Sequence, residues 1–237
     1  YRSVDLTPAA VEVTSADNIG FVNNTIKHTA NDGLNVINDV TDSVFDGNVI
    51  YDTGGTALSV GHPQHHEIGD KGSEELLGYK DPSNQYSDKE KYDVDVEGLC
   101  SNLDITNNYM VDLAVTYYGC PGMTIYYGTE LSVLHNHVEN APYSGISLGW
   151  GWGYTVGADI SDTNGSTDPQ GETPNLQNNE VAYNRVINVL TTMADGGSIY
   201  TLGPMKGTTI HDNYLSKVGK NGYHSRGIHI DEGTRYI

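Results

Sequence analysis

The sequence predicts an all-β solenoid, one chain wound into near-equivalent coils of short strands. Three observations predict it. Six Asn residues are each followed two positions later by an apolar residue: Asn24-Thr25-Ile26, Asn48-Val49-Ile50, Asn108-Tyr109-Met110, Asn136-His137-Val138, Asn184-Arg185-Val186 and Asn213-Tyr214-Leu215. Their spacings are 24, 60, 28, 48 and 29 residues. With polar, turn-rich inserts set aside, the period is roughly 22–29, too short for an autonomous unit and suited to a solenoid rung. Second, apolar and polar residues alternate over short runs, the period-two pattern of strands with one face toward a core. Third, 28 of the 237 residues are Gly, which supplies the left-handed or crowded positions that repeated tight turns need.

The elements follow in order. Rung one reads Val11-Glu12-Val13, Ile19-Gly20-Phe21-Val22, Asn24-Thr25-Ile26, a turn at Asn31-Asp32-Gly33, and Leu34-Asn35-Val36. The next repeats it as Val44-Phe45, Asn48-Val49-Ile50, Gly54-Gly55 and Leu58-Ser59-Val60. Later rungs give Leu103-Asp104-Ile105 with Asn108, Leu131-Ser132-Val133 with Asn136, Val181 with Asn184, and Thr209-Ile210 with Asn213. No strand of this length stands alone; stacking rung on rung buries the inward residues continuously. The recurrent Asn, at a turn between two strands, is expected to bond exposed backbone and the Asn of the next rung in an internal ladder, a structural rather than catalytic role.

Two inserts interrupt the winding, at about 62–91 and 152–176. The first holds His62, His65, His66 and Glu67, which resembles a zinc set only loosely and reads as an ordinary polar loop. The second holds Asp159, Asp162, Asp168 and Glu172. Their spacing does not match a twelve-residue calcium loop, so no cofactor is required and calcium stays an open alternative. Inserts of this kind leave from a turn and often build a binding face. Cys100 and Cys120 stand about one rung apart, compatible with a disulfide or with two buried thiols. Both ends lack a capping helix or polar terminal rung, so the expectation is one β domain over 1–237, incomplete at both ends, with flanking domains or a complementary chain to cover it.

Charge narrows the partners. Asp plus Glu number 31 against 12 Lys plus Arg, a formal net charge of −19, which repels phosphate backbones and argues against nucleic acid. No apolar run approaches the length of a membrane span. Acidic charge, frequent Tyr, Asn and Gly, and few cysteines fit a secreted bacterial protein, extracellular or at the cell surface.

The strands after the Gly turns carry the candidate chemistry. These are Leu34-Asn35-Val36, Leu58-Ser59-Val60, Met123-Thr124-Ile125, Ile146-Ser147-Leu148, Ile199-Tyr200-Thr201-Leu202 and Ile228-His229-Ile230. Asp195 enters one of them and Asp231 leaves the next. Neighbouring parallel strands lie about 4.8 Å apart, so the two carboxylates are expected roughly 5 Å apart, or wider if offset along the strands. Retaining glycosidases need about 5–5.5 Å between carboxyls and inverting ones about 6.5–9.5 Å. Glu232 is the rival to Asp231, since adjacent strand residues point oppositely. Trp150 and Trp152, flanked by Gly, offer flat faces for sugar rings. His224, Arg226 and His229 are candidates to bond sugar hydroxyls or orient a carboxylate, with Tyr200, Tyr126 and His62 completing the expected binding set.

Tyr143-Ser144-Gly145-Ile146-Ser147-Leu148-Gly149-Trp150, Ala194-Asp195-Gly196-Gly197-Ser198-Ile199-Tyr200 and Gly227-Ile228-His229-Ile230-Asp231-Glu232-Gly233, with the rung pattern, resemble the right-handed parallel β-helix enzymes of carbohydrate metabolism. The resemblance is nearest to glycoside hydrolase family 141, an α-L-fucosidase group, and family 136, the lacto-N-biosidases. It implies a single-stranded right-handed parallel β-helix with loop inserts, and an acid/base and nucleophilic pair that in family 141 register falls on Asp195 and Asp231. Glycoside hydrolysis of an oligosaccharide or glycan is the leading expectation, with Asp195 nominated as nucleophile or base and Asp231 as acid. A polysaccharide lyase would want more basic residues or calcium. A non-catalytic glycan-binding helix would need the Trp platform without the carboxylates.

Overall fold

A computed structural model describes residues 7–62, 98–150, 176–203, 205–219, 224–231, 234 and 236–237. The described residues form strands and turns, without a helix. After β1 (Ala9–Val13), the chain makes circuits that repeat one itinerary. The first is β2 (Ala16–Asp17), β3 (Gly20–Val22), β4 (Thr25–Thr29) and β5 (Asp32–Val36). The second is β6 (Val40–Asp46), β7 (Val49–Thr53) and β8 (Leu58–Val60); the third is β9 (Ser101–Thr106), β10 (Tyr109–Val111) and β11 (Met123–Ile125). The fourth is β12 (Gly128–Leu134), β13 (His137–Glu139) and β14 (Ile146–Leu148). The fifth runs β15 (Leu176–Gln177), β16 (Glu180–Ala182), β17 (Arg185–Val189) and β18 (Gly196–Thr201). The sixth is β19 (Thr209–His211), β20 (Tyr214–Val218) and β21 (Ser225–Ile230).

Each circuit gives a strand to each of three sheets. The eight-stranded sheet runs β2-β6-β9-β12-β16-β19, with β3 on β6 and β15 on β12. The six-stranded sheet runs β4-β7-β10-β13-β17-β20, and the seven-stranded sheet β1-β5-β8-β11-β14-β18-β21. The pairings are parallel, for example Leu34↔Leu58 and Met123↔Ile146. Three parallel sheets visited in rotation are consistent with a parallel β-helix.

The core is continuous because the same sequence positions point inward on every circuit. Leu34, Leu58, Met123, Ile146 and Ile199 from one sheet meet Ile50, Met110, Val138 and Val186 from the second and Phe45, Leu103, Leu131 and Val181 from the third, all buried. Short strands burying one face against two other sheets match the alternation in the sequence.

The Asn ladder forms as expected, between the eight-stranded and six-stranded sheets. Asn108 Oδ1 accepts from Asn48 N at 3.0 Å and Asn48 Nδ2 at 3.0 Å. Asn136, Asn184 and Asn213 repeat the arrangement. From Asn48 onward, each Nδ2 also donates back one circuit, as from Asn136 to Ile105 O at 2.8 Å. Every hydrogen-bonding group of an interior ladder amide is used, which is why Asn, carrying both a donor and an acceptor, recurs. The residue just before each ladder Asn is left-handed: Asn23, Gly47, Asn107, His135, Tyr183 and Asp212 have φ of 57°, 65°, 54°, 57°, 57° and 51°. One left-handed residue turns the chain sharply, and the ladder then satisfies the backbone that the bend exposes. Tyr183 holds this unusual conformation with its ring stacked on His135, centroids 5.0 Å apart.

Cys100 and Cys120 are both free thiols. Cys100 lies buried just before β9, its Sγ 3.5 Å from Val36 O, whereas Cys120 lies just before β11, a strand of a different sheet. Burial pushes the Cys120 thiol up to about 11, chiefly by desolvation.

Candidate active site

The seven-stranded sheet carries the expected site residues, and its register decides which of them meet. Gly196 pairs with Ser225 and Thr201 with Ile230. Asp195 therefore stands beside His224 at the upstream end of the strand pair, and Asp231 lies opposite Leu202 at the downstream end. Seven positions separate the two levels, roughly 20 Å of extended backbone. The directly opposed pair, roughly 5 Å apart, is not formed. Adjacency of the two strands holds, but Asp195 precedes its strand while Asp231 follows its own.

Around Asp231 the contacts are tight. Tyr200 Oη donates to Asp231 Oδ2 at 2.5 Å. His229 Nε2 lies 3.7 Å from Asp231 Oδ1, and the Tyr200 and His229 rings meet edge to face at 5.2 Å. The Tyr200 phenol is held well above its ordinary range, first by burial, then by the bond to Asp231, with the charges of Tyr143, Asp231 and Asp195 adding to it. The phenol thus keeps its proton and Asp231 is the acceptor. Both candidate carboxylates act on this one group, although they stand at opposite ends of the strands.

Arg226 sets the state of His229. Its Nη1 lies 3.0 Å from His229 Nε2, and a guanidinium only donates. Nε2 must accept, so the imidazole proton sits on Nδ1, which is buried and has no hydrogen-bond partner. Asp195, in contrast, is exposed, with its Oδ1 3.8 Å from His224 Nδ1. Its backbone carbonyl accepts from Tyr143 Oη at 2.8 Å, and the Tyr143 ring lies 6.4 Å from that of Tyr200. Tyr143 links the two ends of the site and was not among the expected site residues. Its place in the Tyr143-Ser144-Gly145 run, one register step from Asp195, was the available signal.

The downstream margin of the same sheet gathers the remaining candidates. Register places Tyr126 after β11 and Trp150 after β14, with His62 after β8 and Asp231 after β21. Trp150 stands two strands from Asp231, Tyr126 three and His62 four. Trp150 is less open than its Gly flanks suggested: it is half-buried, packs on the core and meets Tyr126 edge to face at 5.8 Å. Gly149 makes this possible, with φ of +84° and a backbone where an added Cβ would meet Leu202 O at 1.8 Å. Trp152, Glu232, His65, His66, Glu67, Asp159, Asp162, Asp168 and Glu172 lie outside the described residues. Among the described residues, no group of three or more His, Cys, Asp or Glu is arranged to hold a metal, and no helix is long and apolar enough to cross a membrane.

A second buried acid was not expected. Asp32, 3% exposed, accepts from Thr56 N at 2.8 Å. Burial raises its carboxyl to about 7, partly offset by that hydrogen bond.

No protein-family model and no curated protein matches the chain. A solved structure named "Glycoside hydrolase" is similar to it, at 26% identity and a TM-score of 0.67, over 97% of this chain and 33% of that one. The chain thus spans about a third of the protein it matches. That likeness supports a glycoside hydrolase-like, all-β fold built from three parallel sheets.

Proposed function

We propose that this chain is the right-handed parallel β-helix of a glycoside hydrolase acting on an oligosaccharide or glycan, of the kind found in family 141 or family 136, and that it works outside the cell or at its surface. The observation that carries the reading is the Tyr200–Asp231 hydrogen bond at 2.5 Å, set on a sheet whose fold is similar to a glycoside hydrolase. The nominated role of Asp231 changes from acid to base. A phenol that retains its proton and donates to Asp231 favours the charged form of its acceptor, so Asp231 is assigned as base. Asp195 stands seven positions from the level of Asp231, beyond the about 6.5–9.5 Å that a single-displacement pair spans, so it is not assigned to the same linkage. Asp231 takes a proton from water, the water oxygen bonds to the anomeric carbon, the glycosidic C–O bond breaks, and the leaving oxygen takes a proton from solvent. Trp150, Trp152, Tyr126, His224, Arg226 and His62 are assigned to sugar contact, with Glu232 as rival to Asp231.

The test is hydrolysis of aryl and alkyl glycosides, fucosides and lacto-N-biosides included, by Asp231→Asn, Asp195→Asn and Glu232→Gln. Asp231→Asn should abolish turnover of every substrate, and the anomeric configuration of the wild-type product should be inverted. Asp195→Asn, seven positions from the level of Asp231, should keep turnover of both alkyl and aryl glycosides. Wild-type rates in folded Asp231→Asn would sink the reading and favour a non-catalytic glycan binder.

A further inference from the structure

An inward row of the seven-stranded sheet turns polar at one strand. In register the row is Val13, Val36, Val60, Ile125, Leu148, Thr201 and Ile230. Val36, Val60, Ile125 and Leu148 are fully buried in the core. Thr201 continues the row at 0% exposure, where valine would have the same shape and no hydroxyl to satisfy. A hydroxyl at such a position needs partners, and Thr201 has two. Its Oγ1 donates to His229 O at 3.4 Å and lies 3.1 Å from Thr234 Oγ1. A threonine hydroxyl carries one hydrogen. With that hydrogen on His229 O, the Thr234 hydroxyl is the donor of the second bond.

Both bonds bracket Asp231. Asp231 N donates to Thr201 O at 3.1 Å, and Thr234 N donates to Asp231 O at 3.0 Å. Thr201 thus holds the chain before Asp231 through His229 O, Asp231 itself through its N–H, and the chain after it through Thr234. The preceding residue of β18, Tyr200, holds the Asp231 side chain. Consecutive strand residues point to opposite faces, so one carboxylate is fixed from both faces of the sheet, by side chain on one and by backbone on the other. Asp231 stands one residue past the end of β21, and a reacting group displaced by about 1 Å can lose 100-fold in rate. We propose that Thr201 and Thr234 form a latch that positions Asp231 against Tyr200, and that this is why the core row turns polar at Thr201. The inference rests on the assignment of Asp231 as base and adds the positioning residues that hold it there.

The test uses the full chain with the isosteric Thr201→Val, with Thr234→Val, with both together, and with Thr201→Ser. Amide hydrogen exchange followed by NMR reads the latch without substrate. In each valine variant the Asp231 and Thr234 amides should exchange about 5- to 10-fold faster, the value of one lost hydrogen bond. The amides of Ile146, Ser147 and Leu148, one strand further away, should keep wild-type rates. On one aryl glycoside, kcat should fall by a similar factor while KM stays within about twofold. The double variant should be no worse than either single one, because the two hydroxyls act through one bond. Thr201→Ser keeps the hydroxyl and should restore both readouts. Wild-type exchange at Asp231 in Thr201→Val, additive losses in the double variant, or a loss of kcat that follows a lowered melting temperature and is not restored by Thr201→Ser would each overturn the inference. Faster exchange at Asp231 with kcat unchanged would overturn it as well. If the wild-type chain hydrolyses nothing while the exchange rates respond as expected, the latch stands and the base assignment falls. Turnover abolished by Asp231→Asn and untouched by Thr201→Val would do the reverse.

Discussion

Tyr200 Oη donates to Asp231 Oδ2 across 2.5 Å, from a phenol that burial and that carboxylate hold in its neutral form. A hydrogen bond to a charged group is worth about 1.5–3 kcal/mol. Tyr200→Phe removes the donor and keeps the ring that packs on His229. Its kcat/KM should fall by about 10- to 100-fold with little change in melting temperature. Equal rates for the two proteins, measured on one aryl glycoside, would remove Tyr200 from the mechanism.

The Arg226–His229 contact makes a prediction readable without substrate. With Nε2 accepting at 3.0 Å, the His229 proton belongs on Nδ1. Long-range nitrogen–proton correlation spectra should show Nδ1 protonated in the wild type. In Arg226→Met that preference should be lost, with both tautomers populated. A wild-type Nε2–H imidazole would show that Arg226 does not set the tautomer.

These relationships show where the sequence was legible. Asn48, Asn108, Asn136 and Asn184 announced the winding because a ladder amide must both donate and accept in each circuit, so the residue type cannot vary. Leu34, Leu58 and Met123 announced the core face through alternation. Asp195 and Asp231 were correctly read on neighbouring strands, but their relative level was not legible. Offset along parallel strands depends on how many residues each turn consumes, and Asp195 sits in the turn itself, at φ of 61°. The outward row of Asn35, Ser59, Thr124, Ser147, Tyr200 and His229, none more than 7% exposed, was visible as the central letter of each triplet. Its burial was not legible, because a sequence does not reveal that an outward face is closed to water. Asp32 was hidden for the same reason, since it reads as an ordinary Asn-Asp-Gly turn.

The ladder should be a large local source of stability. Asn136→Ala removes the acceptor of Asn108 N and Asn108 Nδ2 and the donor to Ile105 O and Asn184 Oδ1. It leaves backbone groups unpaired in a buried corner. Denaturant unfolding should show a loss of about 3–5 kcal/mol. Asn24→Ala, at the exposed first position, should lose less than about 1.5 kcal/mol. Equal losses at the two positions would mean that the ladder amides act one by one and not through burial.

Asp32 gives the pH dependence. Its carboxyl is raised from 3.8 to about 7 by burial, so the folded state holds the proton more tightly than the unfolded chain does. The contribution to stability is therefore full below 3.8 and is lost as the pH rises through about 7. Asp32→Asn cannot ionise and keeps an oxygen for Thr56 N, so it should match the wild type near the acid end. It should gain on the wild type as the pH rises, by roughly 2–4 kcal/mol once the carboxyl is ionised. Urea unfolding of both proteins at several pH values measures the gap. A gap that is constant with pH, or that widens toward acid, would mean that Asp32 is ionised in the folded protein and that its burial is compensated by a charge partner.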